Sequence, residues 1–284
     1  MKILPQPYEA WFMTFFFVYL RISVAVFTLP VISNEAILPA VRAGLAFWIA
    51  VILVGPLWGL HEVETGYLIP ISTQEYAGIV DFMIAISAEV LMGFFLGFLG
   101  QILVQSIALA GEIIGQQAGF SAASIFDPIT GQDVFLMEQI LTMFGTMIFL
   151  IIGGPEIALQ IVADSFRVVG PGEGFALAAY ADASIYTMIF DDDRRFALIN
   201  MLYRAGVQIA APIMVAMILV SVAEAFIARI VPQLNILAVG FAVRISISLV
   251  ILAGMIPFIY DFYSNYLMQY VMYANAFLQR LTTG

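Results

Sequence analysis

The chain predicts an all-α fold, a polytopic helical membrane-inserted protein with broken or kinked helices and a C-terminal helical hairpin. Three observations predict it. Of its 284 residues, 63% are hydrophobic and 11% charged, about half the charged share of an ordinary soluble domain. Apolar runs of bilayer length recur from one end to the other. Glycine and proline interrupt those runs at definable points.

A spanning helix needs roughly 20 apolar residues. Six stretches qualify: Trp11 to Ile32, Ala43 to Leu60, Phe82 to Leu109, Leu136 to Ile152, Ala205 to Ala228 and Ile236 to Tyr260. The first has the length of a full span, unlike the short apolar core of a signal peptide. Only Lys2 precedes it as a cation, and no small-residue cleavage pattern follows, so a retained first helix is expected. The fourth stretch is short and stops at Gly153-Gly154-Pro155. Two glycines loosen the helix there, and Pro removes a donor. Pro155 and Glu156 suit the first turn of a new helix running to about Val169. Gly170 to Gly174 then reads as a hinge or loop. The polar, glycine-rich stretch near residues 164–195 is the clearest boundary, separating a long N-terminal part from the hairpin.

Loop charges predict an orientation. Arg42 follows the first stretch and Arg229 the fifth, whereas the loop holding Glu62, Glu64, Glu75 and Asp81 carries no Lys or Arg. The positive-inside rule sends the Arg42 and Arg229 loops to the cytoplasm. With an even number of spans, both termini fall outside. Arg167, Arg194 and Arg195 pull the other way. Trp11, Trp58, Tyr67, Tyr260 and Tyr263 stand near span ends, as an aromatic belt would.

Composition excludes several functions. Without Cys there is no disulfide framework, thiol nucleophile or thiolate metal site, and His61, the single His, makes a histidine-ligated metal centre unexpected. No metal or other cofactor is expected. A net charge of −10 opposes a nucleic-acid footprint, which needs a basic patch. An intramembrane enzyme would need a Ser-His, Asp-Asp or His-Glu pair on facing helices. His61 instead falls in an acidic loop, and the Asp residues fall mostly in loops. A small-solute secondary transporter shares broken helices and intramembrane charges, but the two halves here are unequal and show no inverted repeat.

Arg21, Glu89, Glu112, Glu138, Arg204, Glu224 and Arg244 fall within or beside the apolar runs. A charge facing lipid costs several kcal/mol, so these should face protein or a water-filled cavity. If the hairpin turns at Pro232, Gln233, Leu234 and Asn235, then Glu224 and Arg244 lie at similar height on opposite arms and can pair. The other reading has each bonded separately to a neighbouring subunit or to backbone. In the segment Gly111 to Gln132, Gly111, Gly115 and Gly119 recur every four residues, a small-residue face that admits a second backbone. Gln116 and Gln117 are costly in lipid, and Asp127-Pro128 ends any helix. The segment reads either as a re-entrant or channel-lining element, buried in protein or lining a cavity, or as a packed helix ending in a loop.

Gly111 to Pro128 resembles the central motif of the FliR family of type III protein export gates. So do Leu29 to Ser33 with Ile37 to Leu45, and Val231 to Ile236 with Val239, Gly240 and Phe241. The three regions occur in the family's order. One departure stands out: Ala242-Val243-Arg244 follows Gly240-Phe241 where the family usually has Pro, an apolar residue and Lys. The charge is kept and the proline lost, so the family's kink lacks its cause here. The resemblance implies a non-enzymatic subunit of a flagellar export gate at the bacterial inner membrane and flagellar basal body, or of its injectisome counterpart. It implies assembly with FliP-type and FliQ-type subunits, and with FlhB-type and FlhA-type membrane proteins, around a closed path for unfolded flagellar export substrates. Residues 1–190 would be FliP-like and residues 191–284 a FliQ-like hairpin with a tail. The segment 111–132 would help plug the path, with Phe120 and Phe126 as stoppers and the glycines as its freedom to move. Much of such a complex would sit above the bilayer plane, its apolar faces against neighbouring subunits.

Overall fold

The computed structural model describes residues 6–33, 37–54, 78–120, 136–172, 198–231 and 236–283. All regular structure among them is helical: α1 (Gln6–Thr28), α2 (Pro39–Val54), α3 (Ile79–Ala118), α4 (Leu136–Ile151), α5 (Gly154–Val168), α6 (Leu198–Ile230) and α7 (Ile236–Thr283).

Four of these helices, α1, α3, α6 and α7, are long and apolar enough to cross a membrane; the bent pair α4 and α5 makes a fifth if counted as one span. Among the described residues, not every one of the six expected stretches is seen at spanning length. The second forms α2, of 16 residues, only about 24 Å long at 1.5 Å per residue against a hydrocarbon core of about 30 Å. Residues 55–60 of that stretch lie outside the described residues. The third and sixth grow beyond their expected bounds. Helix α3 has 40 residues and α7 has 48, about 60 and 72 Å, twice the bilayer core or more.

The break at Gly153 has the form its residues predict. Helices α4 and α5 meet at 63°. Gly153 precedes α5 with φ +76°, and Pro155 stands in the first turn, where its missing N–H is no loss. The left-handed backbone at Gly153 is one glycine adopts without steric cost. Helix α7 continues through Ala242 without interruption.

The chain forms two compact units. The first comprises Met1–Gln101, Gly153–Leu198 and Met268–Gly284. Within it α1 packs on α2, where Phe15 meets the edge of Phe47 at 5.6 Å. On α3, Gly93 lies against the Arg21 carbonyl, and Gly100 against Leu29 and Pro30. Small residues thus let α1 come down on α3 until backbone meets backbone.

The second unit comprises Ile102–Ile152 and Ile199–Leu267. Here the later turns of α3 take α4 and α6 on glycines. A methyl group on Gly145 would meet Ile107, and one on Gly206 would meet Leu109. Tyr266 donates from its hydroxyl to the Met201 carbonyl at 3.1 Å, tying α7 to α6.

Candidate functional site

The first unit closes over a buried charge cluster. Because Gly93 brings α1 onto α3, Arg21 arrives beside Glu89, one turn earlier on α3. Both residues are 1% exposed. Arg21 Nε donates to Glu89 Oε2 at 2.6 Å and Nη2 to Oε1 at 3.0 Å, a two-pronged contact that suits guanidinium and carboxylate planes. Arg21 Nη1 donates to Ser165 Oγ at 2.9 Å, and Nη2 also to the Val169 carbonyl at 3.1 Å. The Gly172 N–H donates to Glu89 Oε1 at 2.9 Å. The Phe166 ring lies under the guanidinium carbon at 4.1 Å, a favourable cation–π placement. One cation thereby gathers α1, α3, α5 and the turn that follows α5. The arrangement leaves neither charge facing lipid.

The second unit holds the hairpin pair expected from its turn. Arg244 Nε donates to Glu224 Oε1 and Oε2, each at 3.1 Å, and its Nη2 also bonds Oε2. The side chains are 29% and 16% exposed, so this pair is reachable from outside the chain, unlike that of Arg21 and Glu89. Arg204 departs from expectation. Helix α6 turns Met201, Ala205, Gly206, Ile209 and Ala210 inward, which leaves Arg204 on the exposed face with Tyr203, Val207 and Gln208. Within the chain it is not a buried charge.

In the segment that follows α3's long apolar run, helix geometry persists through Gly111, Gly115, Gln116 and Gln117. A methyl group on Gly111 would lie 2.6 Å from Glu138 Cα and 2.9 Å from the Met137 carbonyl, and one on Gly115 would lie 3.3 Å from Met137 Cβ. The start of α4 therefore rests directly on this face. Gln116 and Gln117 are exposed, and Gln116 Nε2 donates to Glu112 Oε1 at 3.2 Å. Gly119 ends the helix with φ +84°, beneath the Phe241 ring, and Phe120 is half-buried. Phe126, Asp127 and Pro128 lie outside the described residues, as do the turn residues Pro232, Gln233 and Asn235.

The contacts of Ser165, Phe166, Val169 and Gly172 with the Arg21–Glu89 pair, and of Phe241 with Gly119, were not foreseen. The available signal was slight: Arg21 and Glu89 are opposite charges, each isolated inside its apolar run. Among the described residues, no group of three or more His, Asp or Glu gathers as a metal site.

These features define the class: a polytopic helical membrane protein whose deepest charges are neutralised within the chain and whose hairpin carries a semi-exposed ion pair. Residues 12–270 match the family described as bacterial export proteins, family 1, and the chain belongs to that family. It is 27% identical over 271 residues to the flagellar biosynthetic protein FliR of Aquifex aeolicus, covering 95% of this chain and 96% of the relative. The Bacillus subtilis FliR is 26% identical over 241 residues, 85% of each chain. The surface presentation of antigens protein SpaR of Shigella flexneri is 22% identical over 227 residues, 80% of this chain and 78% of the relative.

Proposed function

We propose that this chain is a non-enzymatic subunit of the flagellar type III protein export gate, forming part of the closed path for unfolded export substrates. The observation that carries this reading is the family match over residues 12–270, joined by FliR relatives that align over almost the whole length. The flagellar role is preferred to the injectisome role because the Aquifex aeolicus and Bacillus subtilis FliR relatives cover 95% and 85% of the chain at 27% and 26% identity, against 80% at 22% for SpaR.

The finer assignments follow from the same reading. The subunit works in the bacterial inner membrane at the flagellar basal body. Its partners are FliP-type and FliQ-type subunits, with FlhB-type and FlhA-type proteins alongside. Residues 1–190 take the FliP-like place and residues 191–284 the FliQ-like place. The segment 111–132 closes the path. Two features support that closing role: α3 ends at a left-handed Gly119, which suits a change of direction, and the exposed Gln116 and Gln117 suit a wet surface. Helices of 40 and 48 residues outreach a bilayer, which supports a complex standing partly above the membrane plane.

The test is native mass in mild detergent, with the chain expressed alone and together with FliP-type and FliQ-type subunits of the same organism. One defined hetero-oligomer is the expected result. A stable monomer or homodimer that ignores those partners overturns the reading in favour of a small-solute transporter.

A further inference from the structure

Two neighbouring residues of α7 touch two different things. Gly240 is pressed against the Glu224 carboxylate: a methyl group on it would lie 2.9 Å from Oε1 and 3.2 Å from Cδ. Phe241, the next residue, lies on Gly119: a methyl group there would lie 2.9 Å from Cδ1 of its ring. One residue along a helix is about 100° around it, so one turn of α7 faces α6 with one side and the end of α3 with another. Arg244, four residues after Gly240 and on the same face, holds Glu224 through Nε and Nη2.

Between the two hairpin arms is an apolar cavity of about 190 Å³, lined in part by Val220, Ile227, Val243 and Ile247. Loosely packed apolar surfaces specify a position poorly. A two-pronged guanidinium contact specifies both height and rotation. Gly119 admits no side chain, since its φ of +84° and the ring above it both require a glycine; what limits its movement is the ring.

From this we infer that the Glu224–Arg244 pair positions Phe241, and through it Gly119, so that the hairpin holds the point where segment 111–132 leaves α3. Phe241 and the ion pair are positioning residues. They act on closure only if the segment closes the path, and in that respect the consequence rests on the proposed function. The ion pair is semi-exposed, so a neighbour bearing on the hairpin could release Gly119 from a distance.

The experiment exploits the absence of Cys. A single Cys is placed at Phe120 (F120C), and its rate of reaction with a charged maleimide is measured in the co-purified complex; ion leak after reconstitution into vesicles is measured on the same variants with Phe120 intact. Glu224→Gln and Phe241→Ala should each raise the labelling rate severalfold. Their combination should not exceed Phe241→Ala alone, because both act through one contact. The charge swap Glu224→Arg with Arg244→Glu should restore the slow rate. Arg244→Lys keeps the charge but loses the fork; it should raise labelling even if Glu224→Gln fails to assemble. Labelling unchanged by Phe241→Ala, or raised by Phe241→Ala but not by either ion-pair variant, overturns the inference. Faster labelling without added ion leak upholds it and refutes the closing role of segment 111–132 instead.

Discussion

Arg21→Met removes a cation on which the first unit depends. Glu89, its side chain 0% exposed, would keep the Gly172 N–H but lose both guanidinium bonds. Breaking a buried pair in this way costs about 3–5 kcal/mol. Glu89→Gln should cost a similar amount, because it strands the guanidinium. The double variant carries neither charge. Its amide oxygen can still accept from Gly172, so the residual losses are the donor to the Val169 carbonyl and an acceptor for the new buried amide N–H groups, about 1–3 kcal/mol each. The double variant should therefore lose clearly less than the sum of the two singles, with a coupling of about 0.5–3 kcal/mol. Against a typical total of about 5–15 kcal/mol, each single change should be plain in an unfolding titration in mild detergent followed by tryptophan fluorescence. Asp164→Ala is the control. Its partner Arg167 lies 3.5 Å away and the two side chains are 42% and 55% exposed, so a loss within about 1 kcal/mol is expected. Singles that resemble the control, or strict additivity in the double, would show that the cluster is not held by its charges.

Other outcomes follow from the same coordinates. Gly111→Ala should lower thermal stability by about 1–3 kcal/mol, because its new methyl group would lie 2.6 Å from the α4 backbone. Gly44→Ala and Gly254→Ala, in α2 and α7 with open space around them, should instead stabilise by about 0.5–1 kcal/mol in the same thermal assay. Tyr263→Phe should be neutral or stabilising in chemical unfolding, since the buried hydroxyl has no hydrogen-bond partner among the described residues and its desolvation is uncompensated. Glycine substitution across Phe120 to Phe126 should raise ion leak through the reconstituted complex; unchanged conductance would refute the plug assignment.

The hairpin pair could be read in the sequence because α6 ends at Ile230 and α7 begins at Ile236, a separation short enough to set the register of both arms and bring Glu224 opposite Arg244. The break at Gly153-Gly154-Pro155 was legible for the same local reason, the loss of a donor at Pro155. The Arg21 cluster was not. Its partners stand 68 and 144 residues away, and nothing in the apolar pattern says which faces of α1, α3 and α5 will meet. The helix bounds were misjudged where tertiary contact outweighs composition. Helix α3 continues through Gly111 and Gly115 because those glycines are covered by the start of α4, which offsets their poor intrinsic tendency to be helical. Phe241 gave no sign of its role, since one aromatic residue in an apolar helix resembles any other until its neighbour Gly119 is placed.

The distances along the chain within the Arg21 cluster also impose a schedule on synthesis. Glu89 is 68 residues and Ser165 is 144 residues downstream of Arg21. At about 5–20 residues per second, Arg21 leaves the ribosome roughly 3–14 s before Glu89 and 7–29 s before Ser165. During that interval α1 carries a cation with no partner, which hydrocarbon tolerates poorly. The cost of that lone cation, a few kcal/mol in hydrocarbon, is relieved in two steps, first when α3 supplies Glu89 and then when α5 supplies Ser165.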